Sequence, residues 1–361
     1  MRKYLMIASA SLLALGACQP ADESQSGPSE EDTITVYTTI FPYEDWTKKI
    51  GGEFVEVENI VPVGADAHTY EPTPQTMIDV AEADAFIYNG ASLEPFADKI
   101  TSAVEDYDVV TLEASAATDL IASSHDHDHG NEHDDHNHEA EDEHGHHDHD
   151  EEDGHDPHDN EGEGDSATAT IDDHEEEGGS HDGHHHGDQD PHVWLDPIRS
   201  IEMAEAIKDM LVELKPEQEA YFNDNFETLK AQFEELDAQM QEMVNDASVD
   251  TFIVSHAGYG YWEERYGIKQ IGIAGISSTD EPSQTQLVET VETAKKLGLH
   301  YVVFEPNITP SVAKVVQDHL GAEALTIHPL EALTQEDEQA DADYFSIMEN
   351  NIETLRTALN N

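Results

Sequence analysis

The chain has 361 residues, 37% of them hydrophobic, which is enough for two globular domains with buried cores. Its formal charge of −66 is uneven: residues 121–190 hold 27 Asp and Glu, 17 His and no Lys or Arg, leaving 54 acids against 15 bases and a charge of −39 elsewhere. Such a surface repels phosphate and excludes nucleic acid as a partner, and the single cysteine excludes an intramolecular disulfide. Growth in high salt, where screening makes a crowded anionic surface tolerable, is one reading of the remaining acidity.

The chain opens on MRKYLMIASASLLALGAC, with basic Arg2 and Lys3, an apolar run from Tyr4 to Leu15 and small residues before Cys18. That is the layout of a secretory signal over 1–17, and the run is too short to be a stable membrane span. Leu15, Gly16, Ala17 and Cys18 resemble a bacterial lipobox, which implies cleavage before Cys18 and acylation of its sulfur. Residues 18–32 then read as a polar, breaker-rich tether between membrane and domain.

Beyond the tether, TITVYTTIF (33–41), FVEVENIVPV (54–63), ADAFIYNG (83–90) and DVVTLEA (108–114) are β-branched runs separated by helix-like segments. This alternation predicts an α/β lobe with a mostly parallel sheet over 33–215. Residues 121–190 interrupt it with a His/Asp/Glu tract too charged to bury a core, which is expected to be disordered. After the tract come DPHVWLDPIRS and a helix to about Leu214.

Over 216–246, Phe222, Phe226, Leu229, Phe233, Leu236, Met240 and Met243 recur at steps of four and three, so one face of a long helix is apolar. Pro216 suits its first turn. A second α/β set follows over 247–361: TFIVSHAG (251–258), IKQIGIAG (268–275), YVVFEP (301–306), ALTIHPL (324–330) and a closing helix. The expected fold is therefore two lobes, each a mostly parallel sheet flanked by helices, joined by one long rigid helix.

Six histidines lie outside the tract. In open α/β sheets, ligands gather at the carboxyl ends of strands. His68 follows the second strand and His256 ends TFIVSH, whereas His192 sits on a loop whose strand is not assignable. Three such imidazoles are a metal-ligand set, since zinc takes three or four N, O or S donors. His300, at a helix-to-strand junction, and His319, near a helix C-terminus, read as structural or exposed. The tract histidines, among them His125, His127, His129, His133, His136, His138, His144, His146, His147, His149, His184, His185 and His186, offer many imidazoles without fixed geometry, hence low-affinity metal sites. They would collect zinc, sense it, or do neither. No H-E-x-x-H motif is present, so nothing in the sequence points to a zinc hydrolase.

GADAHTYEPTPQTM, NGASLEPF, DPHVWLDP, FIVSHAGYGYW and HPLEALTQED, in this order, resemble the zinc-binding lipoproteins of bacterial ABC importers, the cluster A-I solute-binding proteins. The resemblance implies a metal in the inter-lobe cleft held by His68, His192, His256 and Glu331, with His328 or water as rivals for the fourth place. Three imidazoles and one carboxylate suit tetrahedral zinc, whereas manganese-binding relatives carry more oxygen donors. It further implies a lipid-anchored, extracytoplasmic monomer, at the surface of a Gram-positive cell or in a periplasm. Such a protein delivers zinc to an importer permease with its ATPase and is not an enzyme. A manganese-binding relative and a surface zinc buffer or adhesin are the alternatives.

Overall fold

The computed structural model of the protein describes residues 33–123, 189–307 and 311–360. The signal segment, Cys18, the tether and the tract histidines named above lie outside the described residues.

Two four-stranded sheets form, and every strand pairing in them is parallel. The first contains β1 (Ile34–Thr38), β2 (Val55–Asn59), β3 (Ala85–Tyr88) and β4 (Val110–Glu113) in the order β2-β1-β3-β4. The second contains β5 (Thr251–His256), β6 (Lys269–Ala274), β7 (Tyr301–Phe304) and β8 (Glu323–Thr326) in the order β6-β5-β7-β8. In each sheet the order reverses beside its first strand, and the loops leaving there diverge to open a crevice at the carboxyl ends. The expected α/β class with parallel sheets is observed.

The helices linking the first set are α1 (Phe41–Gly51), α2 (Pro74–Ala81) and α3 (Ala97–Val104). Next come α4 (Pro197–Leu214) and α5 (Glu219–Asn245), followed by α6 (Gly260–Tyr266), α7 (Gln284–Leu297), α8 (Ser311–Leu320), α9 (Gln335–Gln339) and α10 (Tyr344–Ala358). Pro197 opens α4, where its missing N–H is harmless, and the Asp196 carboxylate caps the amides of Ile198 and Arg199. Pro216 falls three residues before the long helix, in a 3-10 turn over Pro216–Gln218 that delivers the chain into α5.

All seven apolar residues of the α5 stripe are buried. At about 1.5 Å per residue the 27-residue helix runs about 40 Å. Near its start Asn225 Nδ2 donates to the Ile50 carbonyl, and near its end Asp237 accepts from Arg265 Nε at 2.7 Å. One continuous core follows from this, running from Val36 and Trp46 through α4, α5 and α10 to Val254 and Val303. A smaller core, with Ile253, Ile273, Val302 and Val316, lies on the other face of the second sheet under α7 and α8. The lobes are distinct as sheets yet share their main core.

Phe233 sits at the centre of that sharing, edge-on to Trp46 of α1 at 5.3 Å and 5.6 Å from Tyr344 of α10. Replacing it by Ala removes a fully buried ring between three helices. The expected loss is about 3–5 kcal/mol of unfolding free energy, measured by denaturant titration.

Candidate metal centre

Each element delivers one side chain to the same point. His256 is the last residue of β5, and His68 comes from the loop after β2. His192 precedes a single 3-10 turn at Val193–Leu195, and Glu331 follows β8. One ligand atom from each of these four residues lies within 4.8 Å of all the others. The His256 and His192 Nε2 atoms are 3.2 Å apart, and Glu331 Oε1 is 3.6 Å from His68 Nε2 and 3.8 Å from His192 Nε2.

Orientation is set from behind each ring. His192 Nδ1 donates to Asp190 Oδ1 at 2.8 Å, and the same oxygen accepts the His192 amide at 3.0 Å. His256 Nδ1 faces Glu305 Oε1 at 2.7 Å, an oxygen that also accepts from the Tyr259 hydroxyl, while Ser255 Oγ donates to Glu305 Oε2. Topology explains this pair: His256 ends β5 and Glu305 directly follows the adjacent β7, on the two sides of the switch point. With their Nδ1 protons committed to carboxylates, both rings turn Nε2 inward, the arrangement in which an imidazole is a metal ligand. For His68 the carboxylate acts on the backbone: Asp66 Oδ1 accepts the His68 amide at 2.9 Å, and Asp66 Oδ2 accepts from Ser278 Oγ of the second lobe at 2.7 Å.

The interior of the cluster is polar but unpaired. His68 Nε2 and both carboxylate oxygens of Glu331 are buried without a hydrogen-bond partner. Buried polar atoms are almost always satisfied, and three exceptions converging beside two further imidazoles form a group that could hold a cation. Space is kept for it by Gly258, where an added Cβ would stand 2.6 Å from His256 Nε2 and 3.2 Å from His192 Cδ2.

Charge follows the same geometry. Burial pushes the Glu331 pKa up, but the facing imidazoles, His68 first, outweigh it and hold the carboxyl down at about 2. Burial pulls His256 down, yet the Glu305 charge and hydrogen bond win and push it up to about 9. His192 moves the other way, because its burial outweighs the help of Asp190. His68 is raised, its burial overcome by Glu331. The two imidazoles whose Nε2 atoms face each other are thus shifted in opposite directions.

Of the other sequence candidates, His328 is buried but outside the cluster, and His300 and His319 are exposed on other surfaces. Sequence reasoning missed Asp190, Glu305, Asp66 and Gly258. Asp190 stands two residues before His192 and Asp66 two before His68, a spacing that was available as a signal.

Two parallel-sheet lobes facing each other across a buried imidazole–carboxylate cluster define a solute-binding architecture whose donors suit a metal ion. The chain belongs to the family described as zinc-uptake complex component A, periplasmic, whose model matches residues 36–358. That family is a transport component and not an enzyme family. The zinc-binding lipoprotein AdcA of Streptococcus pneumoniae is 29% identical over 356 residues, 98% of this chain and 60% of that protein. The chain thus spans about three fifths of that relative's length. The high-affinity zinc uptake system protein ZnuA of Bacillus subtilis is 27% identical, with 98% of this chain and 97% of that protein covered. Among solved structures, the Zn(II)-bound ZnuA-like domain of Streptococcus pneumoniae AdcA superposes with a TM-score of 0.65 at 26% identity, covering 91% of this chain and 100% of that one. Among the described residues no helix is long and apolar enough to cross a membrane.

In the metal-free protein, the His256 ring should stay protonated to a pH of about 9. Glu305→Gln removes the charge behind it and should lower that pKa by at least a unit, as followed by NMR titration of the imidazole protons. An unchanged titration would mean that Glu305 does not govern the ring.

Proposed function

We propose that the protein captures one zinc ion on His68, His192, His256 and Glu331 and hands it to the membrane permease of an ABC importer, driven by the importer's ATPase. The observation that carries this is the convergence of unpaired His68 Nε2 and Glu331 oxygens on two imidazoles whose outer nitrogens are already tied to carboxylates. Three nitrogen donors and one oxygen donor are a zinc-type set, and manganese is disfavoured by the shortage of oxygen. The family and the named relatives support the same reading. A closed four-ligand site holds cargo and leaves no open position for a substrate, in keeping with transport.

Anchoring follows from the lipobox-like LGAC at 15–18, with acylated Cys18 holding a monomer outside the cytoplasmic membrane. The 121–190 tract supplies a second, weaker class of zinc sites in addition to the tight one. Residues Ala122 and Gln189, at its two ends, pair in an antiparallel bridge, so a short linker can replace everything between them.

Zinc titration against a competing chelator should resolve one tight site and several weak ones. Replacing 124–188 by a short linker should retain the tight site and abolish the weak class, whereas His68→Ala with His192→Ala should do the reverse. At a thousandfold excess over Kd, a ligand bound only by the folded state adds about 4 kcal/mol, so zinc should raise the Tm of the linker variant far more than that of the double mutant. Tight binding that disappears with the tract and survives the double mutation would refute the assignment.

Gly258→Ala tests the space for the ion. Its Cβ would meet His256 Nε2 at 2.6 Å, so the ring must shift: the tight site should be lost, and the metal-free protein should lose only about 1–3 kcal/mol, as for an overpacked buried position. Calorimetry with zinc, compared with a metal-free thermal melt, separates the two effects.

A further inference from the structure

Leu330, directly before Glu331, has a φ of 66° with its side chain fully buried. A leucine avoids this left-handed region because its Cβ crowds the following carbonyl, so the conformation persists only where neighbours hold it. Its amide donates to His328 Nδ1 at 2.9 Å. Pro329 has no amide to offer, so Leu330 carries the first N–H after His328 that can be tied.

His328 is itself held by its backbone, and its ring faces a carboxylate. Its amide donates to Asn351 Oδ1 at 2.8 Å, its carbonyl accepts from Asn351 Nδ2 at 2.8 Å, and its Nε2 stands 3.2 Å from Asp337 Oδ2. Because Nδ1 accepts, the ring proton sits on Nε2, facing that carboxylate. Farther along the turn, the Pro329 carbonyl accepts from Trp194 Nε1 and the Glu331 carbonyl from the Phe41 amide. The carbonyls are thus tied to the first lobe, and the amide between them is tied to His328.

We infer that His328 is a positioning residue for metal capture: its Nδ1 holds the left-handed turn at Leu330 and so aims the Glu331 carboxylate at the three imidazoles. This rests on the reading of Glu331 as a ligand. It gives the buried histidine that stands outside the cluster a role that acts through its neighbour.

The test is a double-mutant cycle on the full chain, with Zn2+ alone as the probe and the tight site read by chelator competition. His328→Ala should weaken tight binding by roughly 10- to 100-fold, the usual range for a residue that orients a ligand. In a Glu331→Gln background the same change should cost far less, because aiming a ligand already disabled gains nothing. His328→Asn, whose Oδ1 can stand near the Nδ1 position, should bind nearly as the parent does, and His328→Gln should not. An equal loss in both backgrounds would show that His328 supports the fold at large and would overturn the inference. Were Glu331→Gln to leave zinc affinity unchanged, the ligand assignment itself would fall, which is a separate result. If His328→Ala fails to fold, the Asn and Gln variants decide, and equal affinity for the two overturns the inference.

Discussion

The whole arrangement depends on one buried carboxylate. Glu331 is 2% exposed and neither of its oxygens accepts a hydrogen bond. A carboxylate desolvated in this way is tolerated only beside positive charge, and removing the partner of such a buried pair costs about 3–5 kcal/mol. In the metal-free protein the facing imidazoles, His68 first, hold Glu331 down against its burial, while His256 is pushed up to about 9 chiefly by Glu305 behind it. A divalent cation held by the four proposed ligands would do the same more completely, since it would pair with the carboxylate and all three rings at once. Metal and protons would then compete for one site, and capture of the first would expel the second.

A second buried glutamate shows that burial alone does not decide the outcome. Glu94, behind the switch point of the first sheet, is 5% exposed and accepts from Thr39 Oγ1 and from the Asn89 and Gly90 amides. Those dipoles oppose its desolvation but do not cancel it, and its carboxyl is pushed up to about 7. Glu331 has no such donors and is held at about 2 by facing imidazoles. The same side chain, equally dry, thus serves as a hydrogen-bonded brace in one lobe and as an anion in the other. Glu94 reaches the metal centre only indirectly: Asn89 donates from Nδ2 to the Pro191 carbonyl, one residue before His192.

The lobes were legible because strand and helix periods differ. Short β-branched runs alternate with helical segments, and the α5 stripe at steps of four and three appears buried in full. What the periodicity could not reveal was that the two lobes share a core. A stripe on one helix says that a face is buried, but not how many partners bury it, and here α1, α4 and α10 all meet α5. Trp46 and Tyr344 are nearly three hundred residues apart in the chain, and their ring centroids lie 5.3 Å apart. No local pattern encodes such a contact.

At the site, the imidazoles stood out because histidine is scarce outside the tract and two of the three follow recognisable strands. Carboxylates had no such contrast. Asp66, Asp190, Glu305 and Glu331 are four of 81 acids, and nothing in residue type sets them apart from the rest. Their roles come from depth and from neighbours in space: Glu305 meets His256 because β7 lies beside β5, and Asp190 meets His192 because two residues span one tight turn. His328 and Glu331 illustrate the same limit at closest range. Three residues apart on one segment, they were rivals for a single place; Glu331 lies in the cluster and His328 outside it, and the backbone between them is left-handed at Leu330. Which of two polar neighbours turns inward depends on backbone direction, a property carried by φ angles and hydrogen bonds and not by residue type.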